Sequence, residues 1–390
     1  MTDGNGFNSR YPYRFLMFYV LYYAGYAIYN TFISVYLNSL SFSRIIVGAL
    51  LALGPFMAII GQPVWGMACD RARYKNTILK LLITGSGIVI ITYPLYDNLY
   101  YLIGVIAVFS FFQTSVVPVG DTITLEYLEN TRWKFGPIRM GGTIGFALTS
   151  AAAGVILRKN ISNMFMIYFV ISMLTLFITF RLAHVKGHQS YGNRMAAWKL
   201  FENGEFVLLL GFSLIYHTTL GFYYSFFPIY FMEMGGTSVM LGIVMFISAM
   251  SEIPFLLNAE KIINRIGIEY TMIGSAVITA LRWLLLYLVE NPYLVLPLNS
   301  LHGLGFIVFT YCMVMYISKN VPRELMTSGQ TMHGLVIMGL SRILGSVIGG
   351  FLSDLTGIRE VFLYISIINF ISVVIFGGLF IIIRHDLKGT

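Results

Sequence analysis

Long apolar runs separated by short polar segments dominate the chain. FLMFYVLYYAGYAIYNTFISVYL (15–37) and VFLYISIINFISVVIFGGLFIII (361–383) each run 23 residues without a formal charge. About 20 mostly apolar residues suffice for a helix to cross the hydrocarbon of a bilayer. The pattern predicts an all-α membrane protein with twelve transmembrane helices, at 14–38, 44–68, 77–95, 99–125, 138–157, 161–182, 206–232, 238–262, 270–289, 293–317, 326–352 and 360–384. The first run reads as a span and not as a cleaved signal, because its apolar stretch is too long and no small-residue cleavage site follows it.

Placing the loops alternately on two sides sorts the basic residues. One side collects both termini and eighteen Lys or Arg residues, from Arg10 and Arg14 through Arg71, Arg73, Arg132 and Lys134 to Arg384 and Lys388. The other side holds four: Arg44, Arg158, Lys159 and Arg359. Basic loops stay on the cytoplasmic side, so both termini are expected there. One miscounted span would scramble the bias, so its clarity supports an even number.

The longest polar connection, 183–205, separates an N-terminal six-helix bundle (1–182) from a C-terminal one (206–390). A weak repeat relates the halves. VGALLALGPFMAIIGQPVWGMACDR (47–71) and LGIVMFISAMSEIPFLLNAEKIINR (241–265) align without gaps at an offset of 194 residues. Two pseudo-symmetric halves around a midplane cavity are what alternating access needs.

Composition sharpens this picture. Apolar residues make up 57% of the 390 positions and charged residues 11%, against roughly 25% charged in soluble domains. The net charge of +8 lies in short loops between apolar runs, which argues for a membrane partner and against nucleic acid. Cys69 and Cys312 fall in different spans and offer neither a disulfide framework nor metal spacing. No phosphate-binding loop, dinucleotide fingerprint or HExxH element occurs, so no cofactor, metal or enzymatic role is expected.

Ionisable groups inside spans are costly and face a cavity or a partner. Asp121 in span four and Arg139 in span five are expected to pair. If a conformational change removed the arginine, the acid could take a proton, the simplest chemistry for proton coupling; a static structural pair is the alternative. Glu126 reads as a headgroup-zone residue. In the second half Glu252, Arg282, His302 and Arg342 stand one per span at broadly similar depth. A shared cavity explains that placement, with Glu252 as the proton-responsive acid. Arg282 and Arg342 are then counter-ions or binders of substrate oxygens, and His302 can donate and accept near neutral pH. Tyr26 with Asn30, Gln113, His217 and Asn299 are further substrate-binding candidates, with helix packing as the competing reading. GGTIGFALTSAAAG (141–154) and GLSRILGSVIGG (339–350) offer small faces for close packing.

GQPVWGMACDRARYKN (61–76) resembles the loop two-three signature of the major facilitator superfamily. PVGDTITLEYL, GPIRMGGTIGFAL, SEIPFLL, LRWLLLYLVENP and LHGLGFIVFTYCMVMYI, followed by Gln330, resemble its proton-symporter branch, which includes lactose permease, nucleoside symporters and phenylpropionate-permease-like proteins. The resemblance covers nearly the whole chain. It implies the major facilitator fold, gating roles for Gly66, Asp70 and Arg71, and recurrent polar positions at Asp121, Arg139, Glu252, Arg282 and His302. TYCMVMYI carries no second carboxylate after His302, which leaves Glu252 or Asp121 as the proton site. The expected function is proton-coupled uptake of a small polar solute, such as a sugar or nucleoside, by a functional monomer in a bacterial cytoplasmic membrane. The alternative is a drug/proton antiporter that exports lipophilic compounds.

Overall fold

The computed structural model describes residues 11–129, 131–185 and 197–389. Residues 186–196 of the expected linker, with Arg10, Lys186 and Arg194, lie outside them. The regular elements are helices: α1 (Tyr13–Ser39), α2 (Arg44–Arg71), α3 (Lys75–Ile90), α4 (Leu99–Gln113), α5 (Val116–Leu128), α6 (Phe135–Ile156), α7 (Asn163–Phe180), α8 (Gly204–Glu233), α9 (Ser238–Met250), α10 (Ile253–Ile266), α11 (Ile268–Leu288), α12 (Pro292–Leu298), α13 (Leu301–Asn320), α14 (Arg323–Leu335), α15 (Ser341–Thr356) and α16 (Ile358–Gly389). Each apolar run is one helix or one interrupted helix.

Among the described residues, ten of these segments are long and apolar enough to cross a membrane. The expected count was twelve. The two outside the ten are α1, of 27 residues, and α6, of 22. Tyrosine phenols along α1, and Arg139 with several glycines in α6, dilute their hydropathy without shortening them.

Four spans are irregular inside. The α4–α5 segment breaks at Thr114–Ser115, α9–α10 at Ser251–Glu252 and α12–α13 at Asn299–Ser300. Pro118, Pro254 and Pro297 lie within three residues of these breaks, and each removes an amide donor from the helical ladder. Between α14 and α15 the chain makes a π-helical turn, Val336–Leu340, which sets Arg342 just beyond it. Single π-turns are frequent at functional sites.

The chain forms two compact units. The first comprises Met1–Ser41, Leu53–Gly192 and Thr237–Phe246; the second comprises Phe42–Ala52, Asn193–Gly236 and Ile247–Thr390. In the first, α1 packs on α6 and α7, and α3 packs on α4, α5 and α7. Phe15, Phe18, Tyr19 and Tyr22 of α1 meet Leu79, Leu82, Val119 and Ile123 in its core. In the second, α8 packs on α15 and α16, while α11 packs on α13 and α16 and α10 lies against α13.

Candidate functional site

The second unit buries a polar cluster in apolar surroundings, and Asn299 is its hub. Asn299 lies at the α12–α13 break with no exposed surface. Its Oδ1 accepts from Arg282 (2.6 Å), from the Tyr223 hydroxyl (2.8 Å) and from Ser248 (3.3 Å). Its Nδ2 donates to the Val295 carbonyl at 2.9 Å. In this arrangement Asn299 positions Arg282.

Arg282 of α11 is only 1% exposed. Besides Asn299, it donates to His302 Nδ1 at 3.1 Å, and its guanidinium lies over the rings of Tyr223 and Trp283. A guanidinium only donates. His302 Nδ1 must therefore accept, and the proton of the neutral imidazole sits on Nε2. That nitrogen is 3.1 Å from the Tyr224 hydroxyl and 3.8 Å from Glu252 Oε1. In that tautomer the Nε2–H donates to the Tyr224 hydroxyl, and the Glu252 carboxylate lies beyond direct hydrogen-bonding reach of the ring.

Glu252 owes its position to the break between α9 and α10, and Gly303 holds that break against α13. The Gly303 amide donates to Ser251 Oγ at 2.8 Å. A Cβ at Gly303 would stand 2.1 Å from the Ser251 carbonyl oxygen and 2.6 Å from the Glu252 amide nitrogen. Only a residue without a side chain lets α13 present His302 this close to Glu252. Arg342 completes the cluster. Its guanidinium centre is 3.9 Å from the Tyr224 ring centroid, a strong cation–π position, and among the described residues it makes no hydrogen bond or ion pair.

His217 is buried in the same unit but engages other groups. Its Nδ1 donates to the Ser213 carbonyl at 2.8 Å, its Nε2 is 3.4 Å from Thr310 Oγ1, and its ring meets that of His333.

The first unit has its own polar set. Asp121 of α5 accepts from the Tyr19 hydroxyl at 2.7 Å and lies 3.6 Å from Arg139 Nε. Arg139 also donates to the Tyr23 hydroxyl and lies over the Tyr19 and Tyr23 rings. The expected pair is therefore present, wrapped in tyrosines. Gln113, at the end of α4, donates to the Tyr22 hydroxyl at 2.9 Å, and Tyr22 stacks on Tyr26. Asn30 is half-buried and, among the described residues, makes no side-chain hydrogen bond. Glu126 pairs with Lys75, which is 3% exposed at the start of α3.

Of the gating candidates, Asp70 and Arg71 are exposed at the end of α2, and Gly66 has open space beside it. The ordered contacts of this loop come instead from its neighbours. Asn76 brackets Ala183 and Val185, each at 2.9 Å, and the Lys75 amide donates to the Val185 carbonyl.

Sequence reasoning missed Tyr19, Tyr23, Tyr223, Tyr224, Ser248 and Lys75. The prolines at the helix breaks were the available signal for the second unit. No comparable signal marks a tyrosine among 26.

The chain has relatives among known proteins. The MFS_1 like family matches residues 13–364. The chain belongs to that family. An uncharacterised transporter, YwbF, of Bacillus subtilis is 27% identical over 330 residues, covering 83% of this chain and 82% of its own. A maltose permease of Geobacillus stearothermophilus is 25% identical over 368 residues, covering 93% and 92%. Among solved structures, the nucleoside transporter NupG superposes with a TM-score of 0.84 at 21% identity, over 94% of this chain and 98% of its own. This MFS_1 like protein is thus a multi-pass transporter of the major facilitator type, related to nucleoside, sugar and phenylpropionate permeases. Its family assigns it transport and not catalysis.

Proposed function

We propose that this protein is a proton-coupled symporter that takes up a small polar solute, such as a sugar or nucleoside, by alternating access. The observation that carries this reading is the convergence of Glu252, Arg282, Asn299, His302 and Tyr224 from four of the membrane helices onto one buried cluster. Ionisable groups placed so at bilayer depth mark ion and substrate pathways. Broken helices are where transporters of this kind seat their sites. Glu252 is the proposed proton carrier, because a carboxylate set beside a polar cluster and held by neither arginine can exist in both charge states. Asp121, with Arg139 beside it, is the second candidate.

The family and the sequence pattern support twelve spans, α1 and α6 included, as two six-helix halves joined through 183–205. The basic-loop bias supports cytoplasmic termini, and the bacterial relatives support a cytoplasmic membrane. The proton serves as coupling ion without any cofactor, and one chain is proposed to be the working unit. Buried arginines weigh against export of cationic drugs.

The test is transport in proteoliposomes under an imposed pH gradient, with labelled uridine, maltose and glucuronate as probes. Wild type should accumulate a probe uphill. Glu252→Gln should lose uphill accumulation while keeping exchange of the same probe across the membrane. Accumulation by Glu252→Gln equal to wild type would remove Glu252 as the proton carrier.

A further inference from the structure

The buried cluster of the second unit is short of negative charge. Two guanidiniums, Arg282 and Arg342, stand against one carboxylate, Glu252, whose nearest polar neighbour is the neutral His302 ring at 3.8 Å and neither arginine. Arg282, though 1% exposed, is held by an amide oxygen, an imidazole nitrogen and two aromatic faces, all neutral. Its Nε is buried with no partner. Arg342, half-buried, lies against the Tyr224 ring. Among the described residues neither has a carboxylate within 4.0 Å, the ion-pair limit. By contrast, Arg139 in the first unit has Asp121 at 3.6 Å.

A guanidinium keeps its proton inside proteins, so this excess cannot be relieved by neutralising the arginine. A buried charge without a counter-ion is strongly unfavourable. Tyr224 ties the two arginines into one site: its hydroxyl meets His302, which Arg282 holds, and its ring carries Arg342.

We infer that the missing counter-ion comes with the transported solute, as a single carboxylate bound by Arg342 and the free edge of Arg282. One surplus positive charge matches a monoanion, and the forked N–H groups of a guanidinium match the two oxygens of a carboxylate. The half-buried rings of Tyr224 and Phe306 beside His302 suit a solute whose carboxylate is borne on an aromatic or sugar ring. This rests on the uptake reading of the same site and narrows it to ring acids. It also accounts for coupling. A proton on Glu252 raises the positive excess from one charge to two, so proton and anion favour each other's binding, as linkage requires. Moving one proton with one monoanion carries no net charge.

The experiment is thermal stabilisation of the purified full-length protein in detergent. Ligands are sodium 3-phenylpropionate and sodium glucuronate, each against its neutral counterpart, 3-phenylpropionamide and glucose, with sodium chloride at matched ionic strength as baseline. At least one acid should raise the melting temperature and bind at least tenfold more tightly than its neutral counterpart. The two acids distinguish an aromatic from a sugar ring. Arg342→Gln should weaken that acid at least tenfold. Asn299→Asp, which places a carboxylate against Arg282 inside the protein, should fold and lose the preference for the acid. Equal binding of acid and neutral counterpart, or no shift beyond sodium chloride with either acid, would overturn the inference. The assay imposes no gradient. An acid that binds but is not accumulated on a pH gradient would therefore sink proton coupling and leave the anion site standing.

Discussion

Asn299 shows how a neutral side chain can organise a charged one. Its single carbonyl oxygen receives three donors, one of them a buried guanidinium. Removing it strands all three, and a buried hydrogen bond to a charged group contributes about 1.5–3 kcal/mol. Asn299→Ala is therefore expected to lower stability by roughly 2–3 kcal/mol, read as a drop of several degrees in melting temperature in detergent. An unchanged melting temperature would mean that the hub is energetically idle. The charged members of this cluster were legible in the sequence because formal charge in an apolar run stands out. Asn299 was legible as a polar residue in an apolar run, but its bond to Arg282 was not, because no spacing rule links residues of two different helices. The tyrosines were illegible because a phenol buries as readily as it bonds. Lys75 was hidden by sitting at a span's edge, where a lysine reads as a loop charge.

At the scale of elements, the polar residues cluster where helices are interrupted. Gln113 ends α4, Glu252 and Asn299 occupy breaks, and Arg342 follows the π-turn. A break leaves backbone groups that need partners and lets side chains leave the regular helical face. The amphipathic pattern of the runs gave no hint of this, since an interrupted span is as apolar as a straight one. The tightest of these arrangements is α13 against the α9–α10 break. Gly303→Ala would force the two apart, and overpacking of this kind typically costs about 1–3 kcal/mol. The variant is expected to melt lower and to lose binding of whichever solute stabilises wild type. Gly274→Ala, in α11 with nothing within 4 Å of the added methyl, is the control and should change neither. A Gly303→Ala protein that melts and binds like the control would show that the break tolerates displacement.

At the scale of the whole chain, the weak repeat has a structural counterpart. Gly48 and Gly242, 194 residues apart, both sit where an added Cβ would strike a serine carbonyl, Ser346 in the second unit at 2.2 Å and Ser150 in the first at 2.3 Å. A close approach of the same kind thus recurs at the two glycines, one in each unit. Orientation can be tested through the loops. Both native cysteines, Cys69 and Cys312, are buried, so background labelling should be low. Lys159→Cys should react with a membrane-impermeant maleimide in intact cells, whereas Lys134→Cys should react only after permeabilisation. The reverse pattern would invert the proposed topology. The hub of the second unit has a final consequence for how such transporters diverge. Asparagine and aspartate codons differ by one nucleotide. If residue 299 decides whether Arg282 is neutralised from within or by cargo, then a lineage is a single point mutation away from exchanging an acidic nutrient for an uncharged one, with the scaffold unaltered.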